Sequence, residues 1–197
     1  LVPIINKNNC EIFYGHKDNV LKRFYLASQK YKKFGDILRI TADCTLSDPK
    51  LIDDVILHHI KTNSDYTSNV NPPSFPDGLD IEIFKRKLLT ETYGKVSSKF
   101  DQEHVTPLMK RNRKIKKYNY SNKIDFSKYK ISVDEFEDYE NIKNLIKNNK
   151  NNIFINTMKI LNFLKKNQKK YKTSLGYNSG LKLSKGQKMW IRSKKVI

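Results

Sequence analysis

No acidic residue occurs between positions 141 and 197, although the chain holds 20 Asp and Glu in all. All 20 lie in positions 1–140 beside 24 of the 39 Lys and Arg, so that part carries +4 and the remainder +15 of a formal +19. Charge of that size spread evenly would point to nucleic acid or an anionic membrane. The partition points instead to a nearly balanced domain followed by a basic tail, with a boundary near residue 147. The Lys, Asn and Ile abundance is better explained by coding bias in an AT-rich genome than by a ligand. Cysteine is scarce: Cys10 and Cys44 make neither a disulfide framework nor a C-x-x-C metal spacing, which fits a reducing, cytoplasmic setting. No apolar run approaches the ~20 residues that span a bilayer, and no signal peptide is evident. Walker, zinc and nucleophile-elbow patterns are absent, so no catalytic nucleophile is assigned. The chain opens on Leu1 within LVPII, which reads as the middle of something, and a truncated or excised piece is expected. With 38% hydrophobic and 11% aromatic residues the chain can bury a core, which excludes wholesale disorder.

The pattern alternates strand and helix. Residues 11–15 read as a short strand; a helical stripe then runs from Val20 to Tyr31 with Asp18 as its N-cap. Residues 36–41 read as a buried strand. Asp48 and Pro49 suit the cap and first turn of a second helix, with Leu51, Ile52, Val55, Ile56 and Ile60 inward. Strands are expected at 65–70, 78–84, 114–120 and 128–133, and helices near 85–93, 102–111, 135–147 and 153–166. Asp80 and Glu82 share one face of the 78–84 strand. A loop over 172–180 and a helix from Gln187 close the chain. Such alternation predicts an α/β fold with a mostly parallel sheet.

Four scattered histidines make no metal site, and adjacent His58 and His59 face different ways on a helix. Two carboxylates stand just past strand ends, Asp43 after 37–41 and Asp134 after 130–133. Ligands bind outside the carboxyl ends of strands in open α/β sheets, and paired carboxylates suit Mg2+. From spacing alone the favoured reading is that each carboxylate caps the helix or turn that follows.

Residues 39–49 (RITADCTLSDP) with Leu51, Ile52 and Asp53 resemble a signature of the cytidylyltransferase superfamily, in particular its spore-coat polysaccharide branch, kin to acylneuraminate cytidylyltransferases. Residues 18–25 (DNVLKRFY), 75–82 (FPDGLDIE), 103–107 (EHVTP) and 132–139 (SVDEFEDY) agree with it in order and spacing, over about residues 10–146. Thr45 and Phe136 stand where that family usually has proline. The resemblance implies a Rossmann-like, three-layer nucleotidyltransferase fold, here lacking its first strand and loop, with an α-helical basic tail. It implies transfer of a cytidylyl group from CTP to a sugar of nonulosonate or related type, for surface polysaccharide or glycan synthesis. Asp43 and Asp134 would hold Mg2+; Asp18, Arg23 and Arg39 would lie near the nucleotide; Asp77, Asp80, Glu82 and His104 would line the sugar side. A homodimer is a further expectation.

The resemblance also implies a Gly-, Arg- and Lys-bearing loop that wraps the triphosphate, and nothing here matches it. This chain taken alone is therefore expected to bind CTP weakly and to be inactive. Residues 1–146 would form the incomplete cytidylyltransferase-like domain, 147–179 a basic linker with an amphipathic helix, and 180–197 a truncated start. That last stretch (GLKLSKGQKMW followed by IRSKKVI) resembles the entry into an aminotransferase of the glutamate-1-semialdehyde aminomutase type, whose cofactor would be pyridoxal phosphate. The rival expectation is a non-catalytic module, the tail's Lys and aromatic residues binding nucleic acid or the helix 153–166 lying on a membrane surface. The tail's scarcity of Arg, with Arg192 alone, counts against nucleic acid.

Overall fold

A computed structural model describes residues 2–8 and 10–171. The aminotransferase-like stretch, the loop over 172–180 and the helix from Gln187 lie outside the described residues. The elements run α1 (Val2–Lys7), α2 (Val20–Lys30), β1 (Asp36–Arg39), α3 (Pro49–Thr62), β2 (Tyr66–Ser68), β3 (Glu82–Lys85), α4 (Arg86–Lys95), α5 (Lys99–His104), α6 (Pro107–Arg111), β4 (Lys117–Asn119), α7 (Phe136–Asn148), α8 (Thr157–Lys166) and α9 (Gln168–Tyr171). The strands form one sheet of order β1-β3-β2-β4, in which β2 and β4 run parallel with Tyr66 opposite Lys117 and Ser68 opposite Asn119. The fold is mixed α/β, as the alternation predicts.

The chain divides into two compact units, Leu1–Ile37 with Phe84–Ile115, and Leu38–Ile83 with Lys116–Ile197. The first is mainly helical: α2 packs on α4 and α5, which meet α6, around buried Leu21, Leu88, Leu89, Val105 and Met109. Each such apolar side chain contributes about 2 kcal/mol through burial. Tyr25 and Tyr93 stack with ring centroids 4.3 Å apart. Asn19, not Asp18, caps α2: its carboxamide oxygen accepts from the Lys22 amide at 2.8 Å. The expected strand over 11–15 is irregular chain without a ladder partner.

The second unit holds the larger apolar cluster, which joins Leu46, Leu51 and Val55 to Leu79, Ile81, Ile83, Tyr129 and Ile131. Asp48 caps α3 through the Lys50 amide at 3.0 Å, with Pro49 in the first turn, as the sequence predicts. The inward row of α3 is Leu51, Val55 and His59; Ile60 faces out at 65% exposure. His59 takes the third place because its Nδ1 pairs with Thr67 Oγ1 on β2, 2.8 Å away. Residues 128–133 make isolated bridges at Tyr129 and Lys130, the latter beside Asp77 in parallel sense, in place of a full strand.

The charge boundary near residue 147 is not an edge of this cluster. Ile155, Ile160, Leu161, Leu164 and Tyr171 belong to it. Asp48 Oδ2 accepts from the Thr157 amide and hydroxyl at 2.7 Å each, tying the start of α8 to the start of α3. Lysines mark the outside of this segment, while its buried stripe decides where it packs. The helix expected over 153–166 begins only at Thr157; Ile160, Leu161 and Leu164 of it are used internally, while Ile153, Phe154 and Met158 stay exposed.

Candidate functional site

The site is assembled by backbone first. After β1 the chain turns tightly through Thr41 to Thr45, with the Cys44 amide donating to Thr41 O at 3.1 Å and the Thr45 amide to Asp43 O at 3.0 Å. The Val133 amide also donates to Asp43 O, at 3.1 Å, which joins the backbone of Asp43 to the residue before Asp134, and both carboxylates act on Asp77. The 76–80 turn is locked onto 129–132 by two bonds, Asp77 N to Tyr129 O at 3.0 Å and Ile131 N to Asp77 O at 2.7 Å. Gly78 makes this approach feasible: its φ is +107°, and a Cβ there would lie 2.4 Å from the Ser132 nitrogen. Asp43, Asp77, Asp80 and Asp134 are thus drawn into one acidic group.

The electrostatics follow from that crowding. Burial, then the charges of Asp80, Asp134 and Asp43, push the Asp77 carboxyl up to about 7, with Lys130 opposing the shift. Lys130 Nζ lies 2.9 Å from Asp134 Oδ2 and bonds Asp138 as well. Asp43 Oδ1 is buried with no hydrogen-bond partner. An unpartnered buried carboxylate oxygen is costly unless a cation or donor completes it. Cys44, beside it, is a buried thiol pushed up to about 12 by burial and by the Asp80 charge, so it stays protonated.

Arg39 ends β1, and its Nη1 pairs with Glu82 Oε2 on β3. Glu82 is 2% exposed, and its other oxygen accepts the Tyr66 hydroxyl of β2 at 2.5 Å. This polar row crosses three neighbouring strands. Burial works against the Arg39 charge, yet Glu82 outweighs it and the guanidinium pKa is raised. Arg39 Nε is buried without a partner, leaving a donor for an anion. Glu82, expected to line the sugar side, is instead enclosed and paired with Arg39 and Tyr66, while Asp80, just ahead of β3, also acts on the Arg39 charge.

Asp18, Arg23 and His104 belong to the first unit. Asp18 is exposed, and its amide, like that of Asn19, donates to His16 Nδ1, at 3.2 and 2.9 Å. Arg23 Nη1 reaches His16 O at 3.3 Å. His104 closes α5, its ring 4.5 Å from that of Phe100. Val105 then adopts φ 67° and ψ −57°, and the Thr106 amide donates to His104 O at 2.7 Å. A β-branched residue in such a γ-turn is strained. Sequence reasoning passed over His16 and Lys130; for Lys130 the signal was present as acids four and eight residues on.

Among the described residues no three His, Cys, Asp or Glu side chains form a metal cluster. Two carboxylates, one with an orphaned oxygen, fit a hard cation that takes its other ligands from phosphate and water. No helix among the described residues is long and apolar enough to cross a membrane.

The chain resembles known proteins over most of its length. A cytidylyltransferase from Leptospira borgpetersenii serovar Hardjo-bovis superposes with a TM-score of 0.80 at 28% identity, covering 88% of this chain and 73% of that one. An uncharacterized protein of Methanocaldococcus jannaschii is 31% identical over 171 residues, 85% of this chain and 68% of that protein. The spore coat polysaccharide biosynthesis protein SpsF of Bacillus subtilis is 30% identical over 144 residues, 71% of this chain and 58% of its own length. The family pattern itself runs through residues 6–174, past the charge boundary and through α8, and on that match the chain belongs to the cytidylyltransferase family.

Proposed function

We propose that the protein transfers a cytidylyl group from CTP to a sugar, with pyrophosphate leaving, in the synthesis of a surface polysaccharide or glycan. The orphaned Asp43 Oδ1 beside Asp134 carries this reading. Asp43 and Asp134 would hold Mg2+, which when bound offsets the charge of the reacting phosphates. Arg39, fixed by Glu82 and Tyr66, offers its remaining donors to the nucleotide. Asp77 and Asp80 would orient the hydroxyl of the sugar, and the burial that raises the Asp77 carboxyl supports a part for it in taking up the hydroxyl proton. Asp18 and Arg23 on the nucleotide side and His104 on the sugar side complete the proposal. A nonulosonate-type acceptor, a cytoplasmic setting and a homodimer belong to it too.

SpsF supports the polysaccharide context by its own description. The decisive assay is pyrophosphate release from CTP by the full-length protein across a panel of acidic and neutral sugars, with and without Mg2+. Asp43→Asn is expected to reduce the Mg2+-dependent rate at least ~100-fold, in the range of removing one charged transition-state contact. An unchanged rate overturns the metal assignment, and release indifferent to every sugar overturns the acceptor class.

A further inference from the structure

Lys130 has two carboxylate seats of unequal kind. Asp138 is fixed: its Oδ2 accepts the amides of Asp134 and Glu135 at 3.0 Å each, as the third residue of the α7 capping box, and its side chain is 17% exposed. Asp134 is 54% exposed and lies 2.9 Å from the same ammonium. The backbone of Lys130 is held between the Asp77 bridge and Tyr171 O, which accepts its amide at 3.1 Å. The ammonium is therefore delivered to the acidic group by the fold and does not drift there.

A divalent cation arriving at Asp43 and Asp134 competes for a carboxylate that Lys130 already neutralises. Lys130 need not be left unpaired when it gives way, because Asp138 remains. Before the cation arrives, the ammonium offsets repulsion among the neighbouring carboxylates and keeps Asp134 in place.

We infer that Lys130 is a positioning residue, a built-in counter-ion that occupies the electrostatic place of the metal, holds Asp134 ready, and lowers the affinity for a free divalent cation. The inference rests on the assignment of Asp43 and Asp134 as metal ligands. A merely structural lysine predicts the opposite sign: its loss would loosen the site and weaken metal binding.

The test is Mn2+ binding, read from the electron paramagnetic resonance signal of the free ion, without nucleotide and without turnover. Lys130→Met is expected to tighten Mn2+ binding roughly tenfold, the size of one partly screened charge. Lys130→Arg should keep the affinity of the unaltered chain. Asp138→Asn, which leaves Lys130 with Asp134 alone, should weaken binding roughly threefold, and that effect should vanish when Lys130→Met is added. Unchanged or weaker binding by a folded Lys130→Met chain overturns the inference. If that variant does not fold, Asp138→Asn decides, and equal or tighter Mn2+ binding by it overturns the inference. Asp43→Asn separates the two readings: Mn2+ binding indifferent to it removes the metal site and this inference together. Binding lost in Asp43→Asn but not tightened in Lys130→Met removes the Lys130 role alone.

Discussion

Replacing Asp77 with Asn should make the metal-free chain more stable at pH 8 and leave it unchanged near pH 4. The Asp77 carboxyl is raised from 3.8 to about 7, by burial first and then by Asp80, Asp134 and Asp43. Between those values the folded chain holds a proton that the unfolded chain has released, so stability falls as pH rises through the window. At 1.36 kcal/mol per pH unit the full shift corresponds to about 4 kcal/mol. Partial exposure and solvent screening reduce this to roughly 1–3 kcal/mol. Asn keeps the volume and leaves both backbone bonds of residue 77 in place, so the substitution removes the charge and little else. Urea unfolding in EDTA at half-unit steps from pH 4.5 to 8.5, on both chains, isolates the effect as a growing difference in midpoint. Shared contributions from other carboxylates cancel in that difference. A gap that does not change with pH, or an Asn variant less stable at pH 8, refutes the crowded-carboxylate account.

Glu82→Gln leaves the Arg39 charge buried beside a neutral partner, and a loss of about 3 kcal/mol is expected in denaturant unfolding. Gly78→Ala puts a methyl into the Ser132 backbone at a positive φ; its melting temperature should fall by an amount matching about 3 kcal/mol, and a neutral outcome would show the 76–80 turn to be mobile. Asp48→Ala removes the α3 cap and both Thr157 bonds, and about 2 kcal/mol should be lost; Thr157→Val alone should reproduce about half of it.

What was legible in the sequence was local. Asp48-Pro49 announces α3 because cap and proline act within one turn, and Asp43 is visible because it follows the run that forms β1, whereas the strand expected before Asp134 is reduced to bridging. What was hidden depends on partners distant in sequence. His59 looked like a bystander until Thr67 supplied its bond. Glu82 was expected to face the sugar because alternation cannot show Arg39 and Tyr66 closing over it. Asp18 and Asn19 are both good caps, and which one serves is settled by His16 collecting the two amides ahead of the helix. No propensity places Val105 in a γ-turn, since that conformation is imposed by what surrounds it. The lysine-rich tail misled through composition: charge describes a surface, and the segment is sorted by the few apolar residues beneath it.

The bond between Asp48 and Thr157 joins positions 109 residues apart. During synthesis the Asp48 side chain leaves the ribosome long before its second partner exists. At the roughly 5–20 residues per second of translation, α3, already capped through the Lys50 amide, waits several seconds for the start of α8 to reach the other oxygen of Asp48. The second unit is therefore completed only after its most lysine-rich stretch emerges. The cluster that Ile155, Ile160 and Leu164 join is thus closed last, by the part of the described chain that is made last.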